Sequence, residues 1–223
     1  MLRHTQGVLR DVAERPAVGG GGGRPPTKTA RGWGGGDSNN DGGYRAGERL
    51  RLAVWVGIAG IVMFFAAISS AMVVRRIGDD WLALDLPAVL YLSTAILLFS
   101  SVALEIARRQ LRNGTLDKLR TWTFATLVLG LAFLVAQTLG WRDLLAQGVS
   151  MSNSASGSFF YILTAAHALH VLGGIGALIY LAARARMARP WANRLAAVDA
   201  TAIYWHFLGV LWVYLFILLG VLA

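Results

Sequence analysis

Long, uniformly apolar blocks alternate with short polar breaks along the chain from about residue 51 to its end. Each block approaches or exceeds the roughly 20 residues that cross a bilayer as a helix, twice the length of a barrel strand. Backbone groups in lipid must satisfy their hydrogen bonds within the segment, so each block is predicted to be an α-helix. The expected fold class is all-α: a polytopic membrane protein with five transmembrane helices, at about 51–74, 86–107, 121–141, 158–183 and 198–222.

Residues 1–46 have the opposite composition. A glycine run at 19–23 is followed by RPP and then by GWGGGDSNNDGG. Such a segment buries too little apolar surface to offset the conformational entropy lost on ordering it. We therefore predict a disordered, Gly-rich N-terminal arm over 1–46 and a five-helix transmembrane domain over 47–223.

The net charge of +9 is unevenly distributed, in a way that indicates membrane topology rather than nucleic-acid binding. One side of the predicted helices is strongly basic, through Arg45, Arg49, Arg51, Arg108, Arg109, Arg112, Lys118, Arg120, Arg184, Arg186, Arg189 and Arg194. The other side has few basic residues, offset by acids: Arg75, Arg76, Arg142, Asp79, Asp80 and Asp143. Because basic residues concentrate in cytoplasmic loops, we predict a cytoplasmic N-terminus and an external C-terminus.

Three histidines lie inside the apolar blocks, where an ionisable side chain is costly and is a functional candidate by default. His167 and His170 belong to the fourth predicted helix and His206 to the fifth. At 1.5 Å per residue, His170 lies about 18 Å from the outer edge of a core roughly 30 Å thick, and His206 about 12 Å from the inner edge. These two histidines are thus at nearly the same depth and could meet if the two helices pack together.

The supply of ligands disfavours a metal or haem site at these histidines. The chain has no cysteine, and no Asp or Glu stands at the depth of the histidines. A zinc or copper site needs three or four ligands. One haem held by His206 and either His167 or His170 stays an alternative, because two facing histidines suffice for it. We favour histidines that are hydrogen-bonded within a helix bundle or to a lipid headgroup.

Two acids near the predicted helix ends have simpler interpretations. Glu105 precedes Arg108 and Arg109 by three and four residues, the spacing of ion pairs along one helix face. Asp199 falls in the first turn of the predicted fifth helix, where the helix dipole favours a negative charge.

Small residues in the fourth block predict close helix packing. Gly173, Gly174 and Gly176 follow the histidines, and Gly173 with Ala177 makes a small-xxx-small pair. Such a pair lets another membrane helix approach closely.

Five stretches, in order along residues 50–223, resemble subunit III of the haem–copper oxidases. FFYILTAAHALHVLGG is similar to the family's HxxHVxGG stretch, and IYWHFLGVLWVYLF to its YWHFVDxVWxxLF signature. WTFATLVLGLAFLVAQTLGW resembles the LGxxFLxxQxxEW region, VGIAGIVMFFAA resembles IASEVMFFAA, and LPAVLYLSTAILLFSS resembles the helix between them. The helix count is similar to that of the short, five-helix bacterial forms.

The resemblance implies a non-catalytic accessory subunit of a respiratory terminal oxidase in the bacterial inner membrane. The complex would reduce oxygen and translocate protons, with haem and copper in subunits I and II and none in this chain. Subunit III would stabilise the catalytic subunit and hold phospholipid. His167, His170, Tyr204, Trp205 and His206 match family positions directly, and Asp199 stands where the family usually has Glu.

Three carboxylates of the family are missing here. Ile61 stands in place of a buried glutamate in the first helix, Gly140 in place of the acid before a tryptophan, and Gly209 in place of the acid after WHF. A proton relay through a buried acid is therefore not expected.

Other functions remain open at this stage. The electron donor could be cytochrome c or a quinol, and a nitric oxide reductase complex is a further possibility. An independent membrane cytochrome b, a transporter or a helical scaffold without an oxidase partner are alternatives from other classes. A transporter should show internal repeats or broken helices, and we find no clear repeat.

Overall fold

The computed structural model describes residues 38–77, 87–150, 155–186 and 194–222, with side chains from Gly47 onward in the first range and up to Val221 in the last. These residues form five helices: α1 (Ser38–Arg75), α2 (Val89–Arg112), α3 (Leu116–Ala146), α4 (Ala155–Arg186) and α5 (Arg194–Leu222). All five are long and apolar enough to cross a membrane. The all-helical, multi-pass prediction is therefore confirmed.

The helices are longer than the apolar blocks that predicted them. α1 begins at Ser38, so residues 38–46, assigned above to the disordered arm, are helical here. Adding a residue to an existing helix costs far less than nucleating one, which lets a membrane helix continue into polar sequence. The rest of the predicted arm, residues 1–37, lies outside the described residues.

Four of the helices form a closed ring. α2 packs on α3, α3 on α4, α4 on α5, and α5 on α2, whereas α1 lies outside the ring against α5 and α4. Neighbours in the ring are antiparallel: Trp141 near the end of α3 hydrogen-bonds Thr164 near the start of α4. We call the membrane side at which α1, α3 and α5 begin the N-side.

The interior of the ring is filled with aromatic side chains. Phe133 from α3 meets Trp212 from α5 edge to face, with ring centroids 5.1 Å apart, and both side chains are fully buried. Outward-facing positions carry large exposed apolar residues on every helix. Lipid is as apolar as these side chains, so association of the helices depends on close packing and hydrogen bonds rather than on the hydrophobic effect.

Candidate functional site

Trp205 of α5 reaches the centre of the ring and touches the other three helices. Its indole N–H donates to Ser100 Oγ of α2 at 3.0 Å. A Cβ added at Gly130 of α3 would lie 2.7 Å from the ring, and one added at Gly174 of α4 would lie 2.9 Å from it. Only glycine leaves room for the indole on both sides. Trp205, which the family resemblance singled out, is therefore a packing centre of the ring.

Gly173 and Gly176, the other two glycines singled out in the sequence, have more open surroundings. A Cβ at Gly173 would meet only the Tyr204 hydroxyl, at 3.7 Å, and a Cβ at Gly176 would meet nothing within 4 Å. Gly173 and Ala177 line a groove of about 340 Å³ bounded by α1, α4 and α5. The small-xxx-small pair therefore shapes an apolar groove beside Tyr204.

His167 lies wholly inside the ring. Its imidazole packs against Trp212 at 5.0 Å and against Phe133 at 5.8 Å between ring centroids. Among the described residues, neither ring nitrogen has a hydrogen-bond partner. The hydrogen-bonded histidine expected from the sequence is thus not seen at this position.

His170 faces α1 instead. Its Nδ1 donates to the Ala166 carbonyl oxygen at 2.7 Å, and its ring packs 5.7 Å from that of Phe65. The Tyr204 hydroxyl donates to the backbone oxygen of His170 at 3.2 Å. His170 and Tyr204 therefore connect α4 to α1 and α5.

A cluster of charged side chains joins α1, α2 and α5 at the N-side. Asp199 is buried and accepts from Arg108 Nε at 2.6 Å and from Arg51 Nη2 at 3.0 Å, with Arg112 Nη2 at 3.6 Å. α5 begins at Arg194, so Asp199 lies beyond the first turn. The helix-dipole interpretation of Asp199 was wrong, because this acid pairs with guanidinium groups of two other helices.

Glu105 belongs to the same cluster. Its pairs with Arg108 at 3.4 Å and Arg109 at 3.3 Å confirm the ion pairs predicted from spacing. His206 Nε2 also lies 3.7 Å from Glu105 Oε2, a contact between α5 and α2 that spacing did not reveal. We call these residues the N-side ion cluster: Arg51, Glu105, Arg108, Arg109, Arg112, Asp199 and His206.

The suggested meeting of His170 and His206 does not occur. Successive residues of a helix are 100° apart, so Tyr204 and Trp205 face α4 while His206 faces Glu105 on α2. Depth alone placed the two histidines near each other, and the direction of each side chain separates them. Within the described ranges, no group of three or more His, Asp or Glu side chains could hold a metal ion.

Comparison of the sequence with known proteins identifies the family. Residues 45–222 match the sequence profile of the family described as cytochrome c oxidase subunit III. The chain belongs to this family.

Named relatives of subunit III span most of this chain. A probable cytochrome c oxidase subunit 3 of Nocardia farcinica is 33% identical over 70% of this chain and 79% of its own length. One from Mycobacterium tuberculosis is 32% identical over 73% of this chain and 82% of its own length. A quinol oxidase subunit 3 of Bacillus subtilis is 28% identical over 74% of this chain and 83% of its own length.

The three positions where this subunit III lacks a family acid have different surroundings. Ile61 is partly buried against the apolar core, one turn before Phe65. A Cβ at Gly140 would lie 3.1 Å from Leu90 Cδ2, and one at Gly209 would lie 3.2 Å from Ser101 Oγ. The packing of α2 thus leaves little space for a carboxylate on α3 or α5.

Sequence reasoning missed the small hydroxyl groups that hold the tryptophans of this subunit III. Trp212 donates to Thr94 at 2.9 Å, in addition to the Trp205–Ser100 and Trp141–Thr164 bonds. Serines and threonines in the second and fourth apolar blocks were the available signal, since such residues bond across membrane helices. The sequence does not show which tryptophan each hydroxyl group binds, because that depends on which helices pack together.

Proposed function

We propose that this chain is the non-catalytic subunit III of a bacterial respiratory haem–copper oxidase, and that it stabilises the catalytic subunit and holds phospholipid. The observation that carries the proposal is the family match across all five helices, residues 45–222. Its partners would be oxidase subunits I and II in the inner membrane. The basic N-side supports a cytoplasmic N-terminus.

Cytochrome c is the proposed electron donor of the complex. The relatives named as cytochrome c oxidase subunits are 33% and 32% identical to this chain, against 28% for the quinol oxidase relative. A quinol oxidase is the second candidate, because that relative covers as much of the chain. The donor would bind to another subunit in either case.

Haem and copper are proposed to reside in the partner subunits. In this chain the three intramembrane histidines face different surroundings: two aromatic rings, a carbonyl of the same helix, and a glutamate. A bis-histidine haem needs two imidazoles that face each other across one space. This divergence argues against an independent cytochrome b.

The groove between α1, α4 and α5 is the proposed lipid contact. Its walls are mainly apolar, and Tyr180, Thr201 and Tyr204 also line it. It lies near the N-side, where Leu50 and Ala197 line it. An acyl chain would pack along these walls, with an anionic headgroup at the N-side, whose sequence is rich in arginine. Such a lipid would fill space between α1 and the ring.

The assembly proposal is tested by purifying the affinity-tagged chain from native membranes in mild detergent. Subunits that contain haem and copper should co-purify with it in a fixed ratio. Recovery of the chain alone, from membranes that contain active oxidase, would refute the proposal.

The lipid proposal has a matched pair of variants. Gly173→Leu places a side chain in the groove, whereas Gly176→Leu adds one at a position with no neighbour within 4 Å. Native mass spectrometry of the complex should show loss of retained phospholipid in Gly173→Leu only. Equal retention in both variants would contradict lipid binding in this groove.

A further inference from the structure

Four buried side chains have polar atoms without a hydrogen-bond partner among the described residues: Ser69, Gln137, Ser156 and His167. Gln137 and His167 stand out because each of them has two such atoms. Gln137 is 1% exposed and His167 is 0% exposed. Neither the amide oxygen and nitrogen of Gln137 nor the two imidazole nitrogens have a hydrogen-bond partner among the described residues. Burial of polar atoms without partners is expensive, and native proteins avoid it by pairing such atoms with protein or with ordered water.

The two side chains lie in the same layer of the membrane. Trp141 of α3 bonds to Thr164 of α4 at 3.0 Å, which fixes the register of these antiparallel helices. Gln137 is four residues from Trp141, about 6 Å, and His167 is three residues from Thr164, about 4.5 Å, in the same direction. Relative to the Trp141–Thr164 bond, their levels therefore differ by about 1.5 Å.

Both side chains also face the same interior. Gln137 shares a face of α3 with Phe133 and Trp141, which are four residues away on either side. The ring of Phe133 contacts the imidazole of His167 edge to face, at 5.8 Å between centroids. Gln137 and His167 thus lie on either side of the contact between α3 and α4.

The polar groups of Trp212, Trp141 and Thr164, which lie near these two side chains, are already engaged. Trp212, which packs on His167, donates its indole N–H to Thr94 at 2.9 Å. Trp141 donates to Thr164, and the Thr164 hydroxyl donates to the Phe160 carbonyl oxygen at 2.7 Å. The Gln137 amide and the His167 imidazole are therefore the groups of this layer that still need hydrogen-bond partners.

We infer that Gln137 and His167 form a closed internal polar site that holds water between α3, α4 and α5. A neutral imidazole offers one donor and one acceptor, and a carboxamide offers two donors and one acceptor oxygen. Water supplies both kinds of group and bridges side chains that do not touch directly. The site goes beyond assembly and lipid holding: it gives this subunit a fixed, hydrated centre.

The decisive measurement is a high-resolution structure of the intact oxidase complex. It should show ordered solvent density within hydrogen-bond distance of both the Gln137 amide and the His167 imidazole. A dry layer, whether through a direct amide–imidazole bond or through side chains bonded elsewhere, would overturn the inference.

A double-mutant cycle tests the coupling in solution. Gln137→Leu and His167→Phe each remove the polar groups and keep much of the volume, and Gln147→Leu makes the same chemical change at an exposed position after α3. Each buried single variant should measurably lower the temperature at which the complex releases this subunit, because it leaves the other polar side chain buried with fewer partners. Gln147→Leu should leave it unchanged.

The double variant distinguishes a shared site from two separate defects. Removing both partners of a buried polar pair costs less than the sum of the single changes. The double variant should therefore release the subunit at a temperature no lower than the worse single variant does. Strictly additive losses would overturn the shared site, even if each variant assembles normally.

Discussion

α5 and α1 begin at the same side of the membrane and lie against each other, yet they contribute to the fold in different ways. α5 contacts α1, α2 and α4 along its length and sends Trp205 between the glycines of α3 and α4. α1 contacts only α4 and α5 among the described helices, and most of its apolar side chains face outward. α1 and α5 have similar hydropathy in the sequence, yet α5 is a central helix and α1 a peripheral one.

The difference between α1 and α5 shows which interactions fix the position of a helix in a membrane bundle. Lipid solvates the outer face of α1 as well as it would solvate α5, so apolar character alone favours neither arrangement. In its observed place, α5 inserts Trp205 between two glycines, and Trp205 and Trp212 hydrogen-bond small hydroxyl groups of α2.

The largest expected effect comes from filling the space that Trp205 occupies. Gly130→Leu and Gly174→Leu would each force the indole to move. A Cβ added at these positions would lie only 2.7 and 2.9 Å from the ring, respectively. Overpacking of this kind costs about 1–3 kcal/mol or more. Unfolding of the detergent-solubilised chain in SDS should show the loss.

The matched control for that prediction lies on α1. A Cβ at Gly60 meets nothing within 4 Å, so Gly60→Leu should leave the unfolding free energy within about 0.5 kcal/mol of the wild type. An equal loss in Gly60→Leu and Gly174→Leu would contradict the distinction between a central α5 and a peripheral α1.

The next effect concerns Asp199, which links α5 to α1 and α2 at the N-side. Asp199→Ala leaves the guanidinium groups of Arg51 and Arg108 without their shared acceptor. Removal of one member of a buried ion pair costs about 3–5 kcal/mol, and we expect about 2 because both arginines are partly exposed. Asp117→Ala, an exposed acid in the first turn of α3, is the control and should cost under 1 kcal/mol.

Proteolysis would locate the Asp199 effect. Loss of the link should raise cleavage of α1 at its N-side end more than cleavage within the ring. If protection of α1 does not change, the cluster does not anchor this helix.

A smaller effect is expected from the hydrogen bond of Trp205. Ser100→Ala removes the acceptor of the indole N–H and leaves the ring in place. Interhelical hydrogen bonds in membranes contribute about 0.6 kcal/mol on average. Ser70→Ala, at an exposed position on α1, is the control, and SDS unfolding of the two variants should differ by about that amount.

The smallest effect is expected at Glu105. Glu105→Gln weakens its contacts with Arg108, Arg109 and His206, all of which are partly exposed to solvent. Exposed ion pairs contribute about 0–1 kcal/mol, so the stability change should fall within that range and shrink at high salt. A salt-independent loss of stability above about 2 kcal/mol would contradict this expectation, because it would mean that the contacts of Glu105 are shielded from solvent.

The number of helices and the ion pairs of Glu105 with Arg108 and Arg109 could be predicted from the sequence, because both depend on local spacing. The sequence was insufficient for Asp199 and His206, whose partners lie on helices distant in the chain. Depth can be counted from a helix end, but the direction of a side chain depends on which helices pack together. For the same reason, the glycines that receive Trp205 could be noticed in the sequence but not matched to it.

The limits of the apolar blocks also differ from the limits of the helices. Hydropathy reports the part of a helix that lies in lipid, whereas α1 and α3 continue into polar sequence at the N-side, beginning at Ser38 and Leu116. Tyr204 and Trp205 were recognised through family resemblance, and the structure adds the contacts that each of them makes.

We propose that this subunit acts through packing and assembly, with the redox centres in its partner subunits. The most direct test is to dissociate it from the purified oxidase and to measure haem and copper in both fractions. We expect the separated chain to be colourless and free of copper, with all haem in the remaining subunits. A Soret band that stays with the separated chain would contradict the account.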